Sequence, residues 1–480
     1  MDPSKIEDKS DLATVPSQDL NHDDVFGELR EDGPNYRNVG FTGTVILMMK
    51  TQIGLGVLAI PSALDVLGMV PGIICLLAMA VITTWSGYVI GTFKLRHREV
   101  YSIDDAGGVM FGLTGRAILS TGFCLCMCTH QLVLLKGPCS QHLDYVFNSA
   151  SAILSLSIGL NAVSTHATCT AVFAAVAAIL GCAMASIRTL GRITWLAWIG
   201  LPCILAAVII VTVAVGLEDR PASAPKTDGP WIPDWKVAGS PTFAQGIAAA
   251  SNLLFAFSGT PGFFSIVSEM RDPRQYASAM LVCQAGVTAV YAIVGCIIYY
   301  YCGTYVSSPA LGSAGGTIKI ISYAFAIPGL FVSMTIVTHI PAKFIFVHAL
   351  RGSRHLTSNT ATHWLSWLGC TLGITVVAWI IASTIPAFDA LVSLIGALLG
   401  PLMCMIPMGG MWLYDNWWNS TDRKRNASWV IAGTWSIALV LLGTFLMVAG
   451  TYGSVMGIMD TYSKIGGSVA FSCADNSNSV

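Results

Sequence analysis

The chain has 480 residues, 54% hydrophobic and only 11% charged, with a mean hydropathy of +0.67 and a net charge of −1. A soluble protein carries about 25% charged residues, so the composition excludes a soluble globular enzyme, gives no reason to expect a nucleic-acid partner, and indicates a polytopic protein in a lipid bilayer. The exception is residues 1–38, where ten acids from Asp2 to Asp32 stand against four bases; this stretch reads as an acidic, disordered cytoplasmic tail.

In chain order, apolar windows between charge clusters predict eleven spans, near 39–64, 66–93, 117–137, 161–186, 193–216, 243–267, 276–302, 316–349, 361–384, 388–413 and 428–450. No basic n-region precedes the first, so it is expected to act as an uncleaved signal anchor. Alternate connections carry Lys94/Arg96/Arg98/Arg116, Arg188/Arg192, Arg271/Arg274, Arg351/Arg354 and Arg423/Lys424/Arg425. The positive-inside rule makes these five loops cytoplasmic. The amino terminus is then inside, and the tail 451–480, after an odd number of spans, outside. The sequons at Asn419 and Asn426 fall inside, beyond the reach of glycosylation.

Two windows are interrupted where a spanning helix should be continuous: Gly54-Leu55-Gly56-Val57-Leu58-Ala59-Ile60-Pro61 and Phe257-Ser258-Gly259-Thr260-Pro261-Gly262-Phe263. Broken helices free backbone N–H and C=O groups that hydrocarbon cannot satisfy, so such segments line a cavity or meet a ligand. A matched pair is a sequence-level pointer to a transporter's substrate site. These are the first and sixth spans, five apart, so they cross in opposite directions, as in an inverted five-plus-five repeat with the eleventh span outside it. The plain alternative, glycine used only for helix packing, predicts neither the shared depth nor the offset.

A half-helix N-terminus suits a carboxylate and a half-helix C-terminus an ammonium, so a zwitterionic amino acid fits both breaks. The amides of Gly54, Leu55, Gly56 and Val57 are expected to hold the substrate carboxylate, and the carbonyls of Phe255, Ala256 and Phe257 its amino group, with Ser258 and Gly259 completing the second break. No Asp or Glu falls at a predicted midplane, and Asp65, Glu269 and Asp389 sit near span ends. An unpaired cationic side chain is expensive to desolvate, so neutral L-amino acids are the expected substrates.

The first-span motif, together with Ser268-Glu269-Met270-Arg271-Asp272-Pro273 at the end of the sixth span, resembles the amino acid/auxin permease family, and the likeness covers roughly 39–450. The resemblance implies an all-α membrane domain over 39–450, eleven transmembrane helices with an inverted repeat, and the amino acid-polyamine-organocation type of fold. It also implies secondary active uptake of neutral aliphatic and aromatic amino acids, coupled to protons in fungal members, with no cofactor beyond an ion gradient. Plasma-membrane placement is the expectation, with the vacuolar membrane as the alternative; oligomeric state stays open.

Ionisable groups inside a membrane are functional candidates by default. Lys50 lies one turn before the first break, His339 on the cytoplasmic half of the eighth span, and Glu269 closes the sixth; these are coupling or gating candidates. Lys50 is equally expected to pair with Glu269 or a carbonyl, His339 to be a packed imidazole, and Glu269 to pair with a loop arginine. Sodium, the alternative driving ion, would use the hydroxyls of Ser333, Thr335 and Thr338. Cys124, Cys126, Cys128 and His130 are not read as a metal site, because helical residues two apart point about 200° away from each other. Cys139, Cys302 and Cys473 are placed on or near the outside, where a disulfide can form, its pairing unassigned. An intramembrane enzyme lacks its motifs here: there is no P-loop, no His-Glu-x-x-His and no Gly-x-Ser-x-Gly. A sensor that binds amino acids without transport is the competing class.

Overall fold

A computed structural model describes residues 22–23, 27–28, 37–121, 140–218, 220–221, 223–225, 231–350, 353, 355–356, 358–384, 388–418, 426–465, 471 and 473–477. The described chain is nearly all helix; the strands β1 (His22–Asp23) and β2 (Gly27–Glu28) form one short antiparallel ladder in the acidic segment. Nine of the described helical segments are long and apolar enough to span a membrane, and the pair Phe388–Leu398 and Gly400–Trp418, bent by 46°, makes a tenth.

The first span consists of α1 (Phe41–Gln52), a 3-10 turn over Gly56–Ala59 and α2 (Ile60–Leu67). Pro61 sits in the first turn of α2, where its missing N–H costs nothing. Gly68, at φ +85°, turns the chain into α3 (Met69–Arg96), a backbone conformation that suits glycine. Then come α4 (Ile103–Thr121), α5 (Ser140–Ser164), α6 (Thr170–Ala185) and α7 (Leu190–Leu217).

The sixth span, α8 (Phe243–Ala256) and α9 (Phe263–Ser268), is broken by turns over 257–262. Thr242 and Gln245 form a capping box at its start, satisfying two amides reciprocally. It leads to α10 (Tyr276–Cys302), α11 (Gly316–Leu350) and α12 (Ala361–Thr384). The bent tenth span comprises α13 (Phe388–Leu398), α14 (Gly400–Cys404) and α15 (Ile406–Leu413), and α16 (Ala427–Ile465) is last. The broken halves lie at the centre: α8 packs on α13, α16 and α2, while α11 packs on α7 and α5.

The predicted span 117–137 falls largely on residues outside those described, as do Cys124, Cys126, Cys128 and His130. The predicted span 161–186 is corrected. It is two helices, α5 and α6, joined by a turn in which Thr165 and His166 both have positive φ, 51° and 56°. A hydropathy window averages over that five-residue turn, 165–169, and cannot see the reversal. Val146–Ser164 therefore takes the role of a span, followed by the shorter apolar Thr170–Ala185. The turn carries Cys169, which is bonded to Cys473. Of the three cysteines expected outside, only Cys473 is seen in a bridge, since Cys302 is buried with a free thiol and Cys139 lies outside the described residues.

Candidate functional site

Both breaks form where the sequence placed them, and they touch each other. A Cβ added to Gly56 would lie 2.6 Å from Ala256 Cα and 2.9 Å from its carbonyl oxygen, and one added to Gly259 would lie 2.9 Å from Gln52 Cγ and 3.0 Å from Thr51 Cβ. As numbers rise along the first span they fall along the sixth, so the two segments pass antiparallel. Glycine is required here by close backbone approach.

The amides of Gly54, Leu55, Gly56 and Val57 make no hydrogen bond among the described residues, while the Leu55 carbonyl accepts from Leu58 N at 3.3 Å. These are the donors that the start of any helical segment leaves open, but here they lie in a fully buried part of the first span. In the second break all three carbonyls already accept bonds, and that of Phe255 also receives Phe257 N. Phe255 O accepts from Ser258 N (2.9 Å), Ala256 O from Tyr291 Oη (2.8 Å) and Phe257 O from Thr260 Oγ1 (3.2 Å). A carbonyl has two lone pairs, so those of Ala256 and Phe257 each retain one. Leu55, Val57, Phe255, Ala256 and Phe257 are buried, and Ser258 and Gly259 partly so.

The ionisable candidates do not converge on one point; they are strung along α11. Lys50 Nζ donates to Ile53 O at 3.1 Å and to Ser333 Oγ at 2.5 Å, tying the first break to α11. Thr335 Oγ1 donates to Phe331 O of its own helix (2.8 Å), and Thr338 Oγ1 to Ser149 Oγ on α5 (3.2 Å). His339 is buried, with Nδ1 3.3 Å from Ala185 O and its ring edge-on to Trp367 at 5.1 Å. Glu269 is fully buried and forms an ion pair with Lys343 of α11 rather than with Lys50.

That end of the molecule carries a second tie. Val39 bridges to Met270, with Val39 N donating to Glu269 O (3.1 Å) and Arg271 N to Val39 O (2.9 Å). At the opposite end Asp389 accepts from Ser62 Oγ of α2 at 3.3 Å and also from Ser308 Oγ. One carboxylate thereby joins the second half of the first span, the connection before α11 and the tenth span.

A family model described as transmembrane amino acid transporter protein matches residues 37–456 of this architecture. The chain belongs to that amino acid transporter family. It is 35% identical to a "Transmembrane transporter" of Gibberella moniliformis, over 95% of this chain and 92% of the relative. It is 28% identical to the "N amino acid transport system protein" of Neurospora crassa, over 93% and 91% respectively. Among solved structures it resembles a Na+-coupled sialic acid symporter in a substrate-bound, outward-open state, with a TM-score of 0.51, 12% identity, and coverage of 91% of this chain and 93% of that one. It also resembles Mhp1, a nucleobase-cation-symport-1 family transporter in a closed conformation, with a TM-score of 0.54, 13% identity, and coverage of 94% and 99%. At such identities the solved structures speak for the fold alone.

Two residues of the candidate site escaped the sequence reading. Tyr291 on α10 holds the Ala256 carbonyl, its ring stands edge-on to Phe257 at 5.2 Å, and its hydroxyl would be 3.0 Å from a Cβ on Gly56. No periodicity distinguishes it from the other tyrosines of that helix. Lys343 did leave a signal, a lysine inside an apolar run, where a charge is costly and asks for a partner.

Proposed function

We propose that this transporter imports neutral aliphatic and aromatic L-amino acids across the plasma membrane by alternating access, driven by protons. The observation that carries the reading is the set of four unbonded amides at Gly54, Leu55, Gly56 and Val57, one turn from the Lys50 ammonium and pressed against the carbonyls of the second break. Amides and ammonium together favour a carboxylate. The remaining lone pairs at Ala256 and Phe257, beside the Phe255 carbonyl, suit an α-amino group. Neither break contains an acid, so a cationic side chain would be desolvated without a partner and beside a like charge. Phe255 and Phe257 offer the apolar surface an aliphatic or aromatic side chain needs.

The antiparallel passage of the two breaks supports an inverted repeat. Among the described residues, the bent pair and Thr170–Ala185 together with the nine longer spans make eleven apolar segments, in keeping with eleven crossings. The basic connections support an inward amino terminus. The Cys169–Cys473 bridge supports an outward carboxyl-terminal tail, since disulfides persist on the oxidising side.

For coupling, the Lys50 ammonium already engages the carbonyl and hydroxyl oxygens that a sodium ion at the first break would need, while Thr335 and Thr338 bond elsewhere. That favours a proton, with Lys50, His339 and the Glu269–Lys343 pair as the groups that respond to it.

The test is uptake of labelled leucine, phenylalanine and arginine into proteoliposomes under separate proton and sodium gradients. Accumulation of leucine and phenylalanine but not arginine on inward protons is expected. Accumulation on sodium alone refutes the coupling, and binding without accumulation under either gradient refutes transport in favour of a sensor.

A further inference from the structure

A cavity of about 1720 Å³ runs along the outer surface between α3, α10 and the α15–α16 region. That exceeds the roughly 300–1,000 Å³ of ordinary small-molecule pockets. Its floor is α3, from Leu77 to Arg96; its walls are Met280–Ala292 of α10 and Ser428–Trp435 of α16. Those walls rise over about 18 Å and 10 Å of helix at 1.5 Å per residue, well short of crossing a hydrocarbon core about 30 Å thick. The sides are apolar and aromatic, including Trp85, Trp412, Trp429 and Trp435.

One end is polar. There Arg96 Nη1 meets Asp415 Oδ2 at 3.0 Å, and His97 Nε2 is 2.9 Å from Asp415 Oδ1. The Asp415 side chain is 6% exposed but that of Arg96 is 42% exposed. A guanidinium has five donors in a fork that matches a phosphate, and a single carboxylate oxygen engages one nitrogen of it here.

We propose that this groove is a binding site for one diacyl glycerophospholipid, with acyl chain packed against α3, α10 and α16 and phosphate on the exposed side of Arg96. An unfilled groove facing hydrocarbon forfeits the dispersion contacts of its whole lining. A transmembrane helix from a partner would need walls through both leaflets. A bilayer lipid needs them through one, with a polar anchor at its headgroup end, and tryptophans gather at that level.

The test uses the full chain, delipidated in detergent, with bound lipid counted by native mass spectrometry and thermal unfolding followed as dioleoylphosphatidylglycerol is added. One retained phospholipid per chain and saturable stabilisation are expected. Dioleoylglycerol with the same chains, and inorganic phosphate alone, should leave unfolding unchanged. Arg96→Gln should weaken lipid binding about tenfold, the loss of one charge-assisted hydrogen bond. Because that variant also loses the Asp415 pair, Ala432→Trp serves as a second one: it fills the groove, keeps the ion pair, and should abolish retention. Binding of dioleoylglycerol or cholesterol as tight as that of the phospholipid, or undiminished phospholipid retention in Ala432→Trp, overturns the proposal. None of these readouts depends on transport, so their failure leaves the proposed uptake standing, and the converse holds.

Discussion

Gly56→Ala is the sharpest test of the crossing of the two breaks. The new methyl would stand 2.6 Å from Ala256 Cα and 2.9 Å from Ala256 O, with Tyr291 Oη at 3.0 Å. Ordinary carbon contacts lie at about 3.5–4.0 Å, so the first and sixth spans must separate by about 1 Å. Both obstacles at Ala256 are backbone, tied to α10 by the Tyr291 bond, and no rotamer change relieves them. Overpacking of this kind costs about 1–3 kcal/mol, which reduces the population with the breaks in contact by about 5- to 150-fold at 1.4 kcal/mol per decade. If substrate is bound between the touching breaks, initial leucine uptake in proteoliposomes falls in that range. Gly369→Ala is the matched control: nothing lies within 4 Å of its added Cβ on α12, and alanine is the better helix former by about 1 kcal/mol. It should keep wild-type uptake and unfold no earlier. Gly56→Ala that transports at half the wild-type rate or better would refute the assignment of this contact to the site.

Other perturbations separate coupling from architecture. Lys343→Met leaves the Glu269 carboxylate buried without its ammonium, a loss of about 3–5 kcal/mol for such pairs; thermal unfolding in detergent should drop markedly, and the swap Glu269→Lys with Lys343→Glu should recover part of it. Equal stability of the single and swapped variants would show that the pair contributes nothing. Lys50→Met removes the tie between the first break and Ser333 and the charge beside the carboxylate site, and should abolish gradient-driven accumulation while labelled exchange is weakened but retained at high leucine; full accumulation would take Lys50 out of coupling. His339→Ala is expected to flatten the pH dependence of uptake, and an unchanged profile removes that imidazole from proton transfer. Cys473→Ser opens a bridge between residues 304 apart in sequence, and a loss of about 2–4 kcal/mol is typical for a native disulfide. Unfolding at a lower temperature without change in uptake is expected, and reductant should have no further effect on the variant.

The sequence by itself determined the membrane class and the two breaks. Both follow from local rules: apolar windows must span, and Gly54, Gly56, Gly259 and Pro261 interrupt a helix wherever the rest of the chain lies. Lys50, too, was marked by its position, because a lysine in an apolar run must find oxygen, and it finds Ile53 O and Ser333 Oγ. The tertiary structure alone decided what depends on two distant segments meeting. Thr165 and His166 reverse the chain inside an apolar window through positive φ, which hydropathy does not encode. Cys473 chooses Cys169 because folding brings their Cα atoms to 4.3 Å, within bridging distance. Glu269 chooses Lys343 over Lys50 because α11 delivers that ammonium to the closed end of the sixth span, while Ser333 on the same helix has taken Lys50. Partners are set by proximity in space, and a membrane chain conceals them because its uniformly apolar faces carry little of the periodicity that shows which side of a helix meets which neighbour.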